Sequence, residues 1–455
     1  MKNNRSLAIS TIINEELKNK VTLSFMSDHV PDELFKKGQS PKSRDRVFTQ
    51  KNTLEAMLLT STLEDKSLKN AVTQFYVVHQ RKRAIMEEEL KRQIEAEKKG
   101  EKNKTTLRGR PKKFELKMPK SKVSDISLNT AGYSKARKRL PVQLTVSLFE
   151  ASKIAGAEND YSHWHGLKVL EADGTYLQLQ DTPEIRNEYP VKNDNEGGYP
   201  QALLETITER GTGQVVDYRL SSRAVSELAL IHEILDDITH GHILLMDDLY
   251  NCYEILSKCI MKNIHFVVPS KRKRNYKVIR TYGKGDDIIE IPMPKSRSKW
   301  ADGNAHLPPK IVLRKIDCTS PDGKGYTLFT SVLDENIDKS DIQVLYLSRW
   351  DIEISIREIK TIMDINILRG KTPEMLQKEL NVSLAAYNLI RKIIYASLKD
   401  LPFSPKEDFI YKFYTHHKVV LVDKKGRVYS KWSTGRKRDN ATYQEANAIQ
   451  AATGA

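Results

Sequence analysis

Short apolar runs alternate with amphipathic segments from residue 168 to residue 269, and this alternation constrains the fold more than any other feature of the chain. Apolar residues at helical spacing predict helices at 226–238 and 253–261. The predicted strands cover residues 168–172, 176–179, 214–220, 243–246 and 265–269. We expect the first two strands to be antiparallel, with a turn at Asp173-Gly174-Thr175 between them. The order of these elements predicts an α/β core in which helices cover a sheet.

The segments on either side of this core predict further elements. The first ninety or so residues carry apolar positions at helical spacing, which predicts a small helical domain. Residues 271–325 mix strand-like runs with glycine, proline and basic residues. They predict a β-rich insertion, because structureless loops beyond about 15 residues are uncommon in compact domains. A strand at 326–333 and a long helix at 374–399 then return the chain to the core.

The charge of the chain predicts a polyanionic partner. Lysine and arginine outnumber aspartate and glutamate by 75 to 59, which gives the 455 residues a formal net charge of +16. Counterion release makes nucleic acid the natural partner of such a surface. An acidic membrane surface is the weaker alternative, because no lipidation signal accompanies the charge. The sequence also shows neither a secretory signal nor an apolar run of membrane-spanning length, so we expect an intracellular protein without a membrane partner.

Two basic segments are candidates for DNA contacts. In the first, Arg108 and Arg110 belong to a run R-G-R-P that resembles the core of an AT-hook, which fits the narrow minor groove of A·T-rich DNA. A solvated basic linker is the alternative, since lysine and arginine are abundant here. The second segment consists of Lys271, Arg272, Lys273 and Arg274. We expect it to contact phosphates without sequence preference.

Two aspartates adjoin predicted strands. Asp173 follows the strand at 168–172, and Asp247 follows the strand at 243–246. Phosphodiester chemistry with divalent cations requires several carboxylates that converge from different elements, and these two fit that requirement. Each also has an ordinary structural alternative, since Asp173 and Gly174 form a frequent turn dipeptide and Asp247 could cap the next helix.

A third carboxylate lies in a patterned segment. Two residues separate Tyr346 from Arg349, three separate Arg349 from Glu353, and six separate Glu353 from Lys360. At 3.6 residues per turn, these spacings place all four side chains on one face of a helix. A carboxylate flanked by two cations and a phenol suits a metal ligand beside a phosphate backbone. A solvated surface helix with paired charges is the alternative.

With these motifs, the chain resembles the DDE transposases of bacterial insertion sequences. The spacing of Tyr, Arg, Glu and Lys matches the signature of the insertion-sequence-four type. Asp173 with Gly174 and Thr175 resembles the first-aspartate block, and Asp247 with Tyr250 resembles the second. Resemblance covers roughly residues 40 to 395. One departure is Asp248, where family members often have a basic residue. It leaves Asp247 and Asp248 as alternative ligands, and the aromatic at position 250 favours Asp247.

The resemblance implies an RNase H-like catalytic core interrupted by the β-rich insertion, with an α-helical N-terminal DNA-binding domain. It implies two Mg²⁺ ions, for which Mn²⁺ can substitute. The implied catalytic residues and metal ligands are Asp173, Asp247 and Glu353. The implied DNA contacts near the cleavage site are Tyr346, Arg349 and Lys360. Trp300, in the insertion, is a candidate for stacking on a flipped base, with a buried structural role as the alternative.

These expectations divide the chain into six parts. They are a helical N-terminal DNA-binding domain (1–95), a basic linker with the AT-hook-like segment (96–145), the first part of the RNase H-like core (146–270), the β-rich insertion subdomain (271–325), the second part of the core (326–400) and a basic C-terminal region that could dimerise (401–455).

The function that the resemblance implies is cut-and-paste DNA transposition. Such an enzyme binds terminal inverted repeats, cleaves the transposon ends by metal-dependent hydrolysis and hairpin formation, and joins the 3′-OH ends to target DNA. The expected partners are double-stranded DNA and a second copy of the chain, in the cytoplasm of a bacterium and associated with its nucleoid. Two alternatives stay open, which are a stand-alone metal-dependent DNA nuclease and a catalytically idle DNA-binding regulator derived from a transposase.

Overall fold

The computed structural model divides the chain into two compact units, Met1–Lys399 and Asp400–Ala455. The residues that it describes are 47–63, 65–101, 129–155, 162–191, 198–295, 307–320, 323–349, 356, 359–360, 363–399, 420–422 and 428–430. Four of the candidate site residues fall outside these ranges, namely Arg108, Arg110, Trp300 and Glu353.

A mixed β-sheet forms the centre of the first unit. Its strands are β1 (His163–Trp164), β2 (Leu167–Gln178), β3 (Gln201–Glu209), β4 (Val215–Ser222), β5 (His242–Leu245), β6 (His265–Pro269), β7 (Lys277–Gly283), β8 (Asp286–Pro292), β9 (Lys310–Thr319) and β10 (Gly325–Thr330). Across the sheet the order is β4-β3-β2-β5-β6-β10-β9-β8-β7, and β1 also pairs with β2. β2, β3 and β4 are antiparallel neighbours, whereas β5 runs parallel to both β2 and β6.

Helices cover both faces of this sheet. In chain order they are α1 (Gln50–Ser61), α2 (Leu68–Glu101), α3 (Thr130–Arg139), α4 (Val142–Ser152), α5 (Pro183–Glu188), α6 (Glu227–Asp237), α7 (Tyr253–Met261), α8 (Lys339–Leu347) and α9 (Pro373–Lys399). Successive side chains of a strand point to opposite faces. Leu170 and Ala172 of β2 accordingly share a buried cluster with α6 and α7. Val169, from the alternate set of β2 positions, shares another cluster with Ile342 and Leu345 of α8.

The helices before the sheet belong to the same folded unit. Leu54 and Leu58 of α1, together with Phe75 of α2, lie in a buried cluster with Leu376 and Leu380 of α9. The charge-dense second half of α2 extends to Glu101, as its helical pattern allows. Helices before and after the sheet in sequence therefore stabilise each other through one apolar core.

The α/β core that the sequence predicts is confirmed. The helix Tyr253–Met261 and the strand His265–Pro269 have the expected bounds, while β3 was not predicted. The expected turn at Asp173-Gly174-Thr175 is wrong, because β2 runs unbroken through it and pairs with β3 along its length. Gly174 serves close packing instead of a turn. A Cβ atom at Gly174 would lie 2.7 Å from Oε2 of Glu205 and 2.9 Å from Cδ of Glu227.

The segment predicted as a β-rich insertion contains strands β7, β8 and β9. These strands are antiparallel to one another and continue the central sheet beyond β10, which itself pairs with β6. The insertion thereby extends the sheet that carries the two aspartates. Residues 296–306 of this segment lie outside the described ranges.

In the second unit, the strands β11 (Val420–Val422) and β12 (Val428–Ser430) pair antiparallel. Across the residues described in both units, no helix is both long enough and apolar enough to cross a membrane.

Candidate active site

Asp173 and Asp247 meet where the pairing between two parallel strands ends. The last paired residues of β2 and β5 are Glu171 and Leu245, and each aspartate stands two residues further along its own chain segment. Because the two strands are paired in register, both aspartates lie at the same height along the strands, just beyond the end of β5. Their charges interact, since the carboxylate of Asp247 acts to raise the pKa of Asp173.

The environment of Asp173 disfavours its ionised form. Burial is the main cause that raises the pKa of Asp173, which reaches about 6. The Gly174 backbone N–H, which donates to Oδ1 at 2.9 Å, and the charge of Arg349 oppose this rise. The nearby carboxylates of Asp247 and Glu227 add to it. The site therefore concentrates negative charge with only partial compensation from the protein.

Asp247 and Asp248 point to different partners. Asp247 caps the short 3₁₀ turn Asp248–Tyr250, and its Oδ1 accepts a hydrogen bond of 2.7 Å from the Leu249 N–H. Oδ1 of Asp248 accepts instead from the N–H of Lys271, at 2.9 Å, beyond the end of β6. The geometry thus brings Asp247 to Asp173 and ties Asp248 to the basic segment.

Tyr346 and Arg349 lie at the end of α8. The expectation of one continuous helix from Tyr346 to Lys360 is wrong at this point, because α8 ends at Leu347 and Arg349 lies in a turn. Oγ of Ser348 donates to the Leu345 carbonyl at 2.6 Å, which satisfies an acceptor at the helix end. The Arg349 guanidinium carbon lies 5.9 Å from the centre of the Tyr346 ring.

The last turn of α8 and the turn after it place a phenol and a cation, respectively, beside the two aspartates. The positive charge of Arg349 favours the ionised form of Asp173. Burial is the main cause that raises the pKa of Tyr346 to about 12, with Arg349 opposing the rise and Asp247 adding to it. Tyr346 therefore stays a neutral hydrogen-bonding group at ordinary pH.

Lys360 reaches the same strand as Asp173. Its Nζ donates a hydrogen bond of 2.9 Å to Oγ1 of Thr175. Of the residues predicted for this centre, the structure brings together Asp173, Asp247, Tyr346, Arg349 and Lys360. Glu353 lies in the segment between Arg349 and Lys360 and outside the described residues.

The four residues of the basic segment after β6 differ in how far their side chains are exposed. Lys271, Arg272 and Lys273 are exposed, whereas Arg274 is half-buried. The guanidinium of Arg274 donates to the backbone carbonyl of Asn251, and burial lowers its pKa. The first three residues are available to a partner, while Arg274 holds the segment against the turn that follows Asp247.

Sequence reasoning missed two acids near the centre, Glu205 and Glu227. Glu205 of β3 is fully buried and accepts a hydrogen bond of 2.8 Å from the hydroxyl of Tyr250. Burial, followed by the charges of Glu227, Asp173 and Asp247, raises the pKa of Glu205 well above its usual range, although the Tyr250 hydrogen bond opposes this. A charged residue within the apolar run A-L-L-E-T-I is the signal that could have identified Glu205.

The donor set at this centre fits a divalent cation. Carboxylate oxygens are the ligands that Mg²⁺ and Mn²⁺ prefer. A cation would offset the effects of burial and, to a lesser degree, of the neighbouring carboxylates, which together raise the pKa of Asp173. Within the described part of the chain, no three acidic, histidine or cysteine side chains already surround a common metal position. The described residues therefore contribute two carboxylates, Asp173 and Asp247, to this centre.

Comparison with known protein families and sequences gives consistent matches. Residues 164–389 match the family described as "Transposase DDE domain". The chain is 29% identical to the transposase InsG for insertion sequence element IS4 of Escherichia coli. The aligned 266 residues cover 56% of this chain and 59% of that protein. The chain is 30% identical over 132 residues to the protein y4zB of Sinorhizobium fredii, which covers 28% of this chain and 35% of that protein.

The chain thus spans less than two thirds of the length of either relative. Among solved structures, a piggyBac transposase in a synaptic complex with hairpin DNA matches 89% of this chain and 79% of its own, at 11% identity and a TM-score of 0.40.

Proposed function

The chain belongs to the DDE transposases of the insertion-sequence-four type, and on that premise we propose that it is a cut-and-paste DNA transposase. In this proposal it binds the terminal inverted repeats of its element and cleaves the transposon ends through a hairpin intermediate. It then joins the 3′-OH ends to target DNA. The observation that carries the proposal is the register of β2 and β5, which brings Asp173 and Asp247 together beside Arg349 and Lys360.

The strand order supports an RNase H-like core. Three antiparallel strands, β4, β3 and β2, are followed across the sheet by β5 and β6, which run parallel to β2. In this arrangement the first aspartate lies on the central strand and the second follows its parallel neighbour. The catalytic carboxylates therefore have a rigid backbone beneath them, which cleavage geometry requires.

Asp173, Asp247 and Glu353 are the residues that we propose to hold two Mg²⁺ ions, with Mn²⁺ as a substitute. When bound, such ions supply Lewis acidity and lower the pKa of a water near the scissile phosphate. The protein's own contribution is to bring the carboxylates together and orient them. Burial disfavours the ionised form of Asp173, and the charge of Arg349 partly offsets this.

Tyr346, Arg349 and Lys360 are proposed as contacts to the DNA backbone at the cleavage site. Two cations and a phenol can donate hydrogen bonds to phosphate oxygens and fix the scissile strand in register without reading its sequence. Lys271, Arg272 and Lys273, which are exposed and follow β6, are proposed as further phosphate contacts. From the sequence alone, we also propose that Arg108 and Arg110 of the linker contact DNA and that Trp300 stacks on a base. We further propose action as a homodimer in the bacterial cytoplasm, associated with the nucleoid.

A cleavage assay on the element's own ends tests this function. Purified protein and its Glu353→Gln variant are incubated with labelled DNA carrying the terminal repeats and with Mg²⁺ or Mn²⁺, and products are resolved on a denaturing gel. We expect nicks at the repeat boundary, followed by hairpin and joined products, all absent with the variant. Cleavage without joining would favour a stand-alone nuclease. Binding without cleavage by either protein would favour a DNA-binding regulator and contradict the catalytic proposal.

A further inference from the structure

A fully buried carboxyl group lies directly beneath the candidate active site. Glu205 of β3 is the cross-strand partner of Gly174, the residue that follows Asp173. Because strand residues alternate between faces, Glu205 and Gly174 share the sheet face opposite to Asp173. The Glu205 side chain therefore supports the strand that carries Asp173 from below and does not enter the site itself.

The strand is packed tightly at this position. A Cβ atom on Gly174 would lie 2.7 Å from Oε2 of Glu205, which is closer than carbon and oxygen atoms normally approach. Within the described residues, this Oε2 is buried and has no hydrogen-bond partner. Burying a carboxyl oxygen without a partner is costly, so a packing role alone would be served better by an apolar residue.

The other oxygen of Glu205 connects this strand to the second aspartate. Its Oε1 accepts a hydrogen bond of 2.8 Å from the hydroxyl of Tyr250, which is itself buried. Tyr250 ends the 3₁₀ turn that Asp247 caps. The pair thus joins the backbone beside Asp173 to the turn beside Asp247 through groups that water does not reach.

We infer that Glu205 and Tyr250 are positioning residues that set the separation of Asp173 and Asp247 for divalent-cation binding. This inference rests on the proposed metal-dependent function and adds to it two residues that touch neither cation nor DNA. Supporting groups of this kind behind metal ligands typically change metal affinity or activity by about ten- to a hundredfold when they are removed.

Two variants and two matched controls test the pair. Glu205→Ala removes the acceptor, and Tyr250→Phe removes only the hydroxyl. Glu209→Ala removes another fully buried acid of β3, whose partners are Gln214 and Lys168. Tyr253→Phe removes a hydroxyl that donates to the Pro308 carbonyl at 2.6 Å. Mn²⁺ binding is measured by electron paramagnetic resonance of the free ion, beside DNA cleavage and the thermal unfolding midpoint.

We expect Tyr250→Phe and Glu205→Ala each to weaken Mn²⁺ binding about tenfold or more, and to raise by a similar factor the Mg²⁺ concentration for half-maximal cleavage. Glu205→Gln keeps a carbonyl acceptor for Tyr250 and is expected to restore much of the Mn²⁺ affinity. Both control variants should bind Mn²⁺ like the wild type, even where Glu209→Ala lowers the unfolding midpoint.

The inference is overturned if both Tyr250→Phe and Glu205→Ala bind Mn²⁺ with wild-type affinity, or if the wild type binds none. It is also overturned if the controls lose Mn²⁺ as strongly as the variants, because the effect would then be general destabilisation. Wild-type protein that binds Mn²⁺ in a Tyr250-dependent manner and cleaves no terminal-repeat DNA would support this inference while contradicting the proposed transposase activity.

Discussion

Lys360 donates a hydrogen bond of 2.9 Å from Nζ to Oγ1 of Thr175, and so connects the segment after α8 to the strand that carries Asp173. Thr175 stands two residues after Asp173, and side chains two residues apart on a strand share one face. The Lys360 ammonium therefore lies on the Asp173 face of the sheet, which α8 also covers. The basic end of the Tyr, Arg, Glu and Lys signature is thus held at the carboxylate centre by a direct contact.

The two consecutive aspartates should respond differently to substitution. Asp247→Asn is expected to reduce cleavage of terminal-repeat DNA at least a hundredfold, because it removes the charge of a proposed metal ligand beside Asp173. Asp248→Asn should retain cleavage within about threefold, since the amide oxygen can still accept from the Lys271 N–H. Single-turnover cleavage rates in Mg²⁺ measure both effects. A greater loss in Asp248→Asn than in Asp247→Asn would reverse the assignment of the ligand.

The raised pKa of Asp173 predicts a pH-dependent cost to stability. The folded state binds this proton more tightly than the unfolded state, since the pKa rises from 3.8 to about 6. The contribution of Asp173 to the free energy of unfolding should therefore become less favourable as pH rises from about 4 through about 6. Asp173→Asn lacks this charge and should be more stable than wild type by about 1 to 3 kcal/mol at pH 8, with the difference shrinking toward pH 4.

Urea denaturation from pH 4 to pH 8 in the presence of a chelator measures this difference between Asp173→Asn and the wild type. The control is Glu184→Gln, at an exposed acid of α5, for which the difference from wild type should stay small throughout. A stability difference for Asp173→Asn that does not grow with pH would contradict the predicted environment of Asp173.

We predict that a side chain at position 174 does not fit between β2 and Glu205. Gly174→Ala should lower the free energy of unfolding by about 1 to 3 kcal/mol, the usual cost of overpacking, because its Cβ would meet Oε2 of Glu205. In the double variant with Glu205→Ala, the added cost of Gly174→Ala should be much smaller. Gly283→Ala is the matched control, since nothing lies within 4 Å of its Cβ position. Additive effects in a double-mutant cycle would exclude the contact.

Arg314 should anchor the part of the sheet that leads into α8. It is buried, bonds Asp286 through Nε and Nη2 at 2.7 Å each, and donates to the carbonyls of Asp334 and Ile337 at 2.8 Å. Arg314→Leu leaves the Asp286 carboxylate buried without its partner and should lower the free energy of unfolding by about 3 to 5 kcal/mol. Arg280→Leu, which breaks an exposed pair with Glu335, should cost less than about 1 kcal/mol. Equal unfolding free energies for the two variants would argue against this anchor.

The basic segment after β6 should divide into DNA contacts and a structural residue. Replacement of Lys271, Arg272 and Lys273 by alanine should weaken DNA binding and reduce the slope of log affinity against log salt by about 0.9 for each phosphate that the protein no longer neutralises. Stability should change little, because these side chains are exposed. Arg274→Ala should instead lower the unfolding midpoint, since its guanidinium holds the Asn251 carbonyl. An unchanged salt slope in the triple variant would exclude this surface as a phosphate-binding site.

Much of the fold could be predicted from local sequence patterns. The helix Tyr253–Met261, the strand His265–Pro269 and the long helix α9 follow from the pattern of apolar residues, which depends on neighbours along the chain. The prediction of a turn at Asp173-Gly174-Thr175 was wrong because a contact between residues distant in sequence decides the conformation there. The dipeptide favours turns locally, but pairing with β3 along the whole of β2 outweighs that preference. The end of α8 at Leu347 was likewise missed, because spacing alone predicts a longer helix.

The sequence by itself determined the α/β class, the basic character and the family signature, because composition, periodicity and residue spacing are properties of the chain. Only the tertiary structure decided that Asp247 meets Asp173 while Asp248 accepts a hydrogen bond from the Lys271 backbone N–H, and that Glu205 and Tyr250 lie beneath them. These relationships depend on strand register and on contacts between residues far apart in sequence. No local pattern encodes them, because each is fixed by how the whole sheet packs.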